Sequence, residues 1–210
     1  MRRRHVRLKS LFGVLLACTW APLQAQDAGN WGFYSASKGA ARYSPLAQID
    51  ASNVSGLRVV WRHKQADPAI LAANPDFALN NRYMVTPIYV DGLLYVPNGF
   101  GLTEAIDPKA GVTRWTQKPL IEGPEGLPSL MISKGVAYWG SGADARVLTV
   151  RQQYLFALEP KTGAAIATFG DGGKVQLSTE DFRYKWNGVP VIGGEVVLVG
   201  SAMLQQVSTV

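Results

Sequence analysis

Apolar residues in this chain gather into many short runs, each closed by a turn signal. Val85 to Val90 forms one run, Asp91-Gly92 interrupts it, and Leu93 to Pro97 follows. Asp-Gly between two apolar runs predicts a tight hairpin. A further strand is predicted through Leu102 to Ile106. Asp107-Pro108-Lys109-Ala110-Gly111 then reads as a turn: Pro108 presets φ at the second turn position, and Gly111 can take the φ > 0 that closes it. Val112 to Gln117 leaves the turn as the next strand and carries Trp115, large enough to fill the gap to a neighbouring sheet.

The plan then repeats. Gly135 to Trp139, Val147 to Val150, Tyr154 to Leu158 and Ala165 to Phe169 are predicted strands, and Glu159-Pro160-Lys161-Thr162-Gly163 is a second copy of the acid-Pro-Lys turn, again followed by an aromatic, Phe169. A third unit begins at Val189 to Val199 and mirrors Thr86 to Val96, Pro190 for Pro87 and Gly193-Gly194 for Asp91-Gly92. Four short strands in about thirty residues is the content of one propeller blade, and recurrence at this spacing marks radial or solenoid stacking. The chain is therefore read as all-β, with about two blades and part of a third. The third unit reaches Val210 without a return strand. An open edge at a terminus is a liability in a finished β protein, so a truncated chain is expected.

Upstream, Leu57-Arg58-Val59-Val60-Trp61-Arg62 is predicted as a strand. Residues 64–82, polar and interrupted by proline, are predicted as a loop despite weak helix signals in Ala69 to Ala73. Residues 27–48, with aromatics in a Gly- and Ser-rich setting, suggest an extended segment packed on a larger body. Residues 1–25 have the form of a secretory signal: a basic start, the short apolar run Leu11 to Trp20, and Pro22-Leu23-Gln24-Ala25 before a cleavage point. That run is too short to span a bilayer. Leu15-Leu16-Ala17-Cys18 also has the form of a lipobox, so a lipid anchor at Cys18 is the alternative. The expected location is periplasmic, with residues 26–210 forming the partial propeller domain.

Composition adjusts this picture in two places. The formal charge of +6 arises from the leader, because Arg2, Arg3, Arg4, Arg7 and Lys9 lie in its first ten residues; without them sixteen basic residues face fifteen acidic ones. A nearly neutral body argues against a nucleic-acid partner. Cys18 is the only cysteine, so cleavage after Ala25 leaves neither a disulfide nor a cysteine-based zinc site. His63, beside Arg62 and Lys64, is expected at the surface. Asp171-Gly172-Gly173 reads as a turn, and no nucleophile elbow or phosphate-cradling glycine loop is present.

Several motifs together carry a family likeness: Arg42-Tyr43-Ser44-Pro45-Leu46 with Gln48-Ile49 and Asn53-Val54, Val85-Thr86-Pro87, and Val90-Asp91-Gly92-Leu93-Leu94-Tyr95. Gly135-Val136-Ala137-Tyr138-Trp139, the two acid-Pro-Lys turns, Phe169-Gly170-Asp171-Gly172-Gly173 and Val199-Gly200-Ser201 complete the set. Over about residues 30 to 201 the chain resembles the N-terminal part of the quinoprotein dehydrogenases, the pyrroloquinoline quinone (PQQ)-dependent alcohol and glucose dehydrogenases. The resemblance implies an eight-bladed propeller when complete, with the aromatic of each turn motif wedged between adjacent blades. It also implies PQQ near the axis with a calcium ion, an aspartate base, and an alcohol, polyol or sugar as substrate. Electrons would pass to a membrane quinone or a cytochrome.

The chain departs from the family pattern at several positions near the expected quinone. Met84 stands where the family has Glu, and Ser133-Lys134 where it has Cys-Arg. Gln152-Gln153-Tyr154 replaces Asp-x-Arg, one residue short, and Gly188-Val189-Pro190 replaces Ser-Pro-Pro. Lys134 and Arg146 are the resemblance's candidates for cofactor contact, Lys134 as a positive charge for a quinone carboxylate or a developing quinol oxygen. No residue is assigned as catalytic. A hard dication needs oxygen ligands with net negative charge, and none follows Gly200-Ser201, so no metal ligand is assigned either. The family's catalytic aspartate and further calcium ligands would lie beyond Val210. The leading expectation is thus a segment of an exported dehydrogenase, with little activity by itself. The alternative is a non-catalytic scaffold of the same fold, such as an outer-membrane assembly lipoprotein.

Overall fold

The computed structural model describes residues 29–66, 68–73, 75, 79, 83–118, 132–177 and 184–203. The expected leader and Cys18 lie outside the described residues. Two four-stranded antiparallel meanders dominate. The first runs through β1 (Ile88–Val90), β2 (Leu93–Pro97), β3 (Thr103–Asp107) and β4 (Val112–Thr116), in that order across the sheet. Asp91 and Gly92 close the first hairpin with φ of 49° and 87°, pairing Val90 with Leu93. These are the two positive φ values a two-residue turn of this hand requires.

The second sheet is β5 (Ala137–Trp139), β6 (Arg146–Arg151), β7 (Tyr154–Leu158) and β8 (Lys174–Gln176). Its last strand corrects the expectation. Ala165 to Phe169 does not form it: Ala165 only bridges Leu158, with the Ile166 N–H donating to Ala157 O. The chain then loops away and returns through Gly170, Gly172 and Gly173, all at positive φ, so that the Ala157 N–H donates to Gly173 O and Lys174–Gln176 takes up the ladder. The glycine-rich loop therefore interrupts the fourth strand instead of following it.

Two shorter pairings come next: β9 (Tyr184–Lys185) with β12 (Ala202–Met203), and the hairpin β10 (Val191–Gly193) with β11 (Val196–Leu198), as expected for the start of a third unit. A short helix, α1 (Pro68–Ala73), occupies part of the segment expected to be loop. Pro68 at its first position lacks the N–H that would be unpaired there in any case, and its fixed φ suits a helix.

Packing shows how the sheets stand to each other. One core joins Ile88, Tyr95, Ala105 and Trp115 of the first sheet to Val136, Val147 and Phe156 around the second. The other joins Leu148, Val150 and Leu155 to Phe169, Ile192 and Val197. Val147 and Leu148 are sequence neighbours on β6 yet belong to different cores, so both faces of that strand are covered. Successive sheets stack face to face as sectors, the arrangement of β-propeller blades. A buried bond from Thr103 Oγ1 to Thr149 Oγ1 (2.9 Å) crosses between them.

The aromatic wedge expected between sectors is present. Trp115 Nε1 donates to Pro160 O at 2.8 Å, and its ring lies against Gly163, where a Cβ would come within 2.4 Å of the indole. Trp61 repeats the arrangement one step earlier: Nε1 donates to Pro108 O at 2.7 Å, and a Cβ on Gly111 would sit 2.6 Å from the ring. Trp61 precedes Gly111 by 50 residues and Trp115 precedes Gly163 by 48. Leu57 to Arg62 is thus the counterpart of β4, but the predicted strand pairing is not seen. Among the described residues no strand bonds to it, and Val60 is 80 % exposed.

Each acid-Pro-Lys turn is pinned by its own carboxylate. Asp107 Oδ1 accepts the Lys109 N–H at 2.8 Å and Oδ2 pairs with Arg114. The Lys109 N–H first, and then Arg114, holds the Asp107 carboxyl below its ordinary range. A depressed folded value means the contribution is present above the unfolded value and disappears as pH falls through the folded one. The protection of the Lys109 amide, taken relative to the intrinsic exchange rate at each pH, is accordingly expected to fall on acidification below about pH 4, while amides in β2 keep theirs. An unchanged protection factor at Lys109 across that range would contradict the assignment.

Candidate functional site

Three segments lead into the first strands of the three sectors: residues 84–86 before β1, 133–135 before β5, and 187–189 before β10. Backbone bonds between sectors hold them together. The Thr86 N–H donates to Lys134 O at 2.9 Å and the Lys134 N–H to Asn187 O at 3.0 Å. Ser133 is buried, and its Oγ donates to Gly135 O (2.7 Å) and Gly188 O (3.2 Å). Gly135 lets the sectors approach closely: a Cβ there would stand 3.0 Å from Thr86 O and 3.2 Å from Val189 Cγ2, so a neighbour would have to give way by a few tenths of an ångström. Gly188 lies against Gly200 O in the same way, so the Gly200-Ser201 step joins the cluster.

What this cluster offers chemically is narrow. Met84 is 68 % exposed, Lys134 is exposed, and Lys134 is the sole charged side chain in the three segments. An exposed ammonium beside glycine-lined backbone suits an anionic ligand. Without a carboxylate the same residues do not suit a calcium ion, and among the described residues no group of three His, Cys, Asp or Glu side chains is placed to hold a metal.

Arg146 does not join Lys134. It opens β6 opposite Trp139, at the far end of β5, five extended residues or roughly 16 Å from Lys134 along the strand. Its guanidinium lies 4.9 Å from the Trp139 ring centroid, and its Nε–H donates to Asp144 O at 3.0 Å. The shortened Gln152-Gln153 segment is a two-residue hairpin turn between Arg151 and Tyr154, with Gln152 at φ 53°. Gln153 Oε1 accepts the Trp186 indole N–H at 3.1 Å.

Two features escaped the sequence reading. Arg151 is buried among strands, and desolvation pushes its guanidinium down to about 10. His63 is exposed, as expected, but it is not unpartnered. Its Nε2 lies 2.9 Å from Glu104 Oε2, while Asn98 Nδ2 donates to Glu104 Oε1 at 2.8 Å. The Glu104 side chain is only 2 % exposed. Nearby, the Tyr83 hydroxyl donates to Pro97 O, and burial, helped by Glu104, pushes it up to about 12. A charged residue in the strand Thr-Glu-Ala-Ile-Asp was the available signal, because a Glu at an inward position needs a partner.

Comparison with known proteins gives consistent results. The family model described as glucose/ethanol/alcohol dehydrogenase, β-propeller domain, matches residues 31–210. The dehydrogenase subunit of alcohol dehydrogenase (quinone) from Komagataeibacter europaeus is 27 % identical over 176 residues, covering 82 % of this chain and 22 % of the relative. Quinoprotein glucose dehydrogenase from Gluconobacter oxydans (strain 621H) is 27 % identical over 197 residues, covering 84 % and 24 %. The crystal structure of quinohemoprotein alcohol dehydrogenase from Comamonas testosteroni superposes with a TM-score of 0.62 at 23 % identity, over 83 % of this chain and 23 % of that one, and shares the fold. The chain spans about a quarter of the length of these curated relatives.

Proposed function

The chain belongs to the PQQ β-propeller family of glucose/ethanol/alcohol dehydrogenases, and on that footing we propose that it forms the N-terminal sectors of an exported dehydrogenase oxidising an alcohol, a polyol or a sugar. PQQ would be the redox group, with a membrane quinone or a cytochrome as acceptor. The supporting observation is the convergence of residues 84–86, 133–135 and 187–189, bonded across sectors and presenting Lys134 as their one cation. When bound, PQQ supplies the two-electron oxidation of the alcohol carbon. The chain's share would be to hold it: the Lys134 ammonium would pair with a carboxylate of the quinone, beside the close-packed glycines of the three segments. Lys134 carries this assignment and Arg146 does not, since Arg146 is committed to Trp139. The leader in residues 1–25, or a lipid on Cys18, is proposed to take the protein to the periplasm.

Titrating the full chain with PQQ tests the reading. A change in quinone absorbance and a rise in Tm are expected, with affinity reduced about tenfold in Lys134→Ala through loss of one charge-assisted contact. Added calcium is expected to leave that affinity unchanged, and turnover of alcohols or glucose by the chain alone to be slight. No spectral change at any PQQ concentration would overturn the cofactor assignment. The second reading, a scaffold without cofactor, is favoured by Met84 and Ser133 at positions where the family carries acid and thiol, and it requires that negative result.

A further inference from the structure

The largest hollow among the grooves described lies at the other end of the first strands, away from Lys134. It measures about 440 Å³ and is walled by residues 30–38 on one side and by the turns after β1, β5 and β10 on the other. A second hollow of about 270 Å³ adjoins it, sharing Phe33, Lys38, Tyr138 and Ile192. The first falls within the range of small-molecule sites, about 300–1,000 Å³. Its floor is aromatic and its polar groups are few: Asn30, Lys38, Asp91 and Ser141 around Tyr138 and Trp139.

We propose that this groove binds a neutral pyranose carbohydrate, stacked on Trp139 and hydrogen-bonded by Asp91, Asn30 and Lys38. Trp139 is 37 % exposed, and the guanidinium lying over it belongs to Arg146, which is not part of the groove wall. Arg146 covers one face of the indole, and the groove meets Trp139 where Arg146 does not line it. An aromatic platform ringed by short polar side chains matches a sugar, whose C–H faces are apolar and whose rim is hydroxyl. One acid and one lysine in the wall add no net charge, which disfavours an ionic ligand. Asp91 is already oriented: its carboxylate accepts the Tyr138 hydroxyl, which, after burial, helps hold that phenol above its ordinary range. Its N–H donates to Asn30 Oδ1 at 3.3 Å. The backbone beside the groove is strained, with Ala36, Ala40 and Arg42 at φ of 71°, 53° and 52°. Such positions persist where the surroundings over-determine them, often at ligand clamps. The adjoining hollow gives room for a second ring. The site is independent of the quinone reading.

The test is NMR of the full chain titrated with maltose, with sorbitol and inorganic phosphate as comparisons. Maltose is expected to shift the Trp139 indole N–H and the Asp91 backbone N–H saturably, phosphate not at all, and open-chain sorbitol at least about fivefold more weakly for want of a flat ring face. Read at the Asp91 N–H, which the variants retain, Trp139→Ala is expected to abolish the response. Trp139→Phe, which keeps a smaller platform, is expected to weaken it, so a folding failure of the first variant leaves the question decidable. Arg146→Ala is expected to weaken maltose binding without shifting Tyr138, as befits a positioning residue. Lys134→Ala is expected to leave it unchanged, which separates this site from the cofactor assignment. Absence of a saturable shift, equal binding of sorbitol, or maltose binding that survives in both Trp139 variants would overturn the proposal.

Discussion

Trp115→Ala is expected to destabilise the fold by about 3–5 kcal/mol, the range for deleting a large buried aromatic. Trp115 is buried in the core shared by the first two sectors, and it loses both its ring packing and the 2.8 Å bond to Pro160 O. Gly163→Ala attacks the same contact from the other side. It places a methyl about where the Trp115 ring stands and forces an L side chain to φ 71°. The left-handed backbone alone costs about 1–2 kcal/mol, and displacing the indole adds about 1–3 kcal/mol. The pair is therefore expected to be strongly non-additive. With Trp115 already replaced by alanine, Gly163→Ala keeps only its backbone cost, because the clash has gone. Urea unfolding of the two single variants and the double variant measures this coupling. Additive costs would mean that the indole does not rest on the glycine.

Glu104→Ala is expected to cost about 3 kcal/mol, since it strips the buried Asn98 amide and His63 of their shared acceptor. The effect should also be located. His63 and Trp61 are the two anchors of the extended segment Leu57 to His63 on the first sector. Losing one should free the segment, raising exchange of the Trp61 indole N–H while leaving that of Trp115 unchanged. His63→Ala leaves the carboxylate buried with Asn98 alone, and the double variant should be less unstable than the sum of the single ones. If Glu104→Ala lowers the urea midpoint but Trp61 exchange does not move, the network supports the sheet and not the segment.

Local turn chemistry was legible in the sequence, and contacts between distant strands were not. Asp91-Gly92 and the two acid-Pro-Lys turns fold as read, because Gly and Pro restrict φ whatever surrounds them. The fourth strand of the second sector was misplaced because Ala165 to Phe169 and Lys174–Gln176 both suit an edge, and Ala157 divides its two backbone bonds between them. His63 is exposed, as its basic flanks suggest, but its buried partner lies 41 positions away, beyond the reach of any local pattern. Lys134 emerged through family likeness, and it stands exposed where the three sector-leading segments meet. Arg146 emerged in the same way, but its place is set by Trp139, a neighbour across the strand pair that spacing did not bring to notice.

The indole resting on the following turn also fixes an angle. Trp61 on Gly111 and Trp115 on Gly163 are the same joint made twice, and a joint repeated with one geometry would set one rotation at each step. A circle closes only when those increments sum to a full turn. A methyl on either glycine would widen one step, and the error would have to be absorbed by all the others. In a ring built from such joints, a contact between nearest neighbours would govern how many sectors the circle takes.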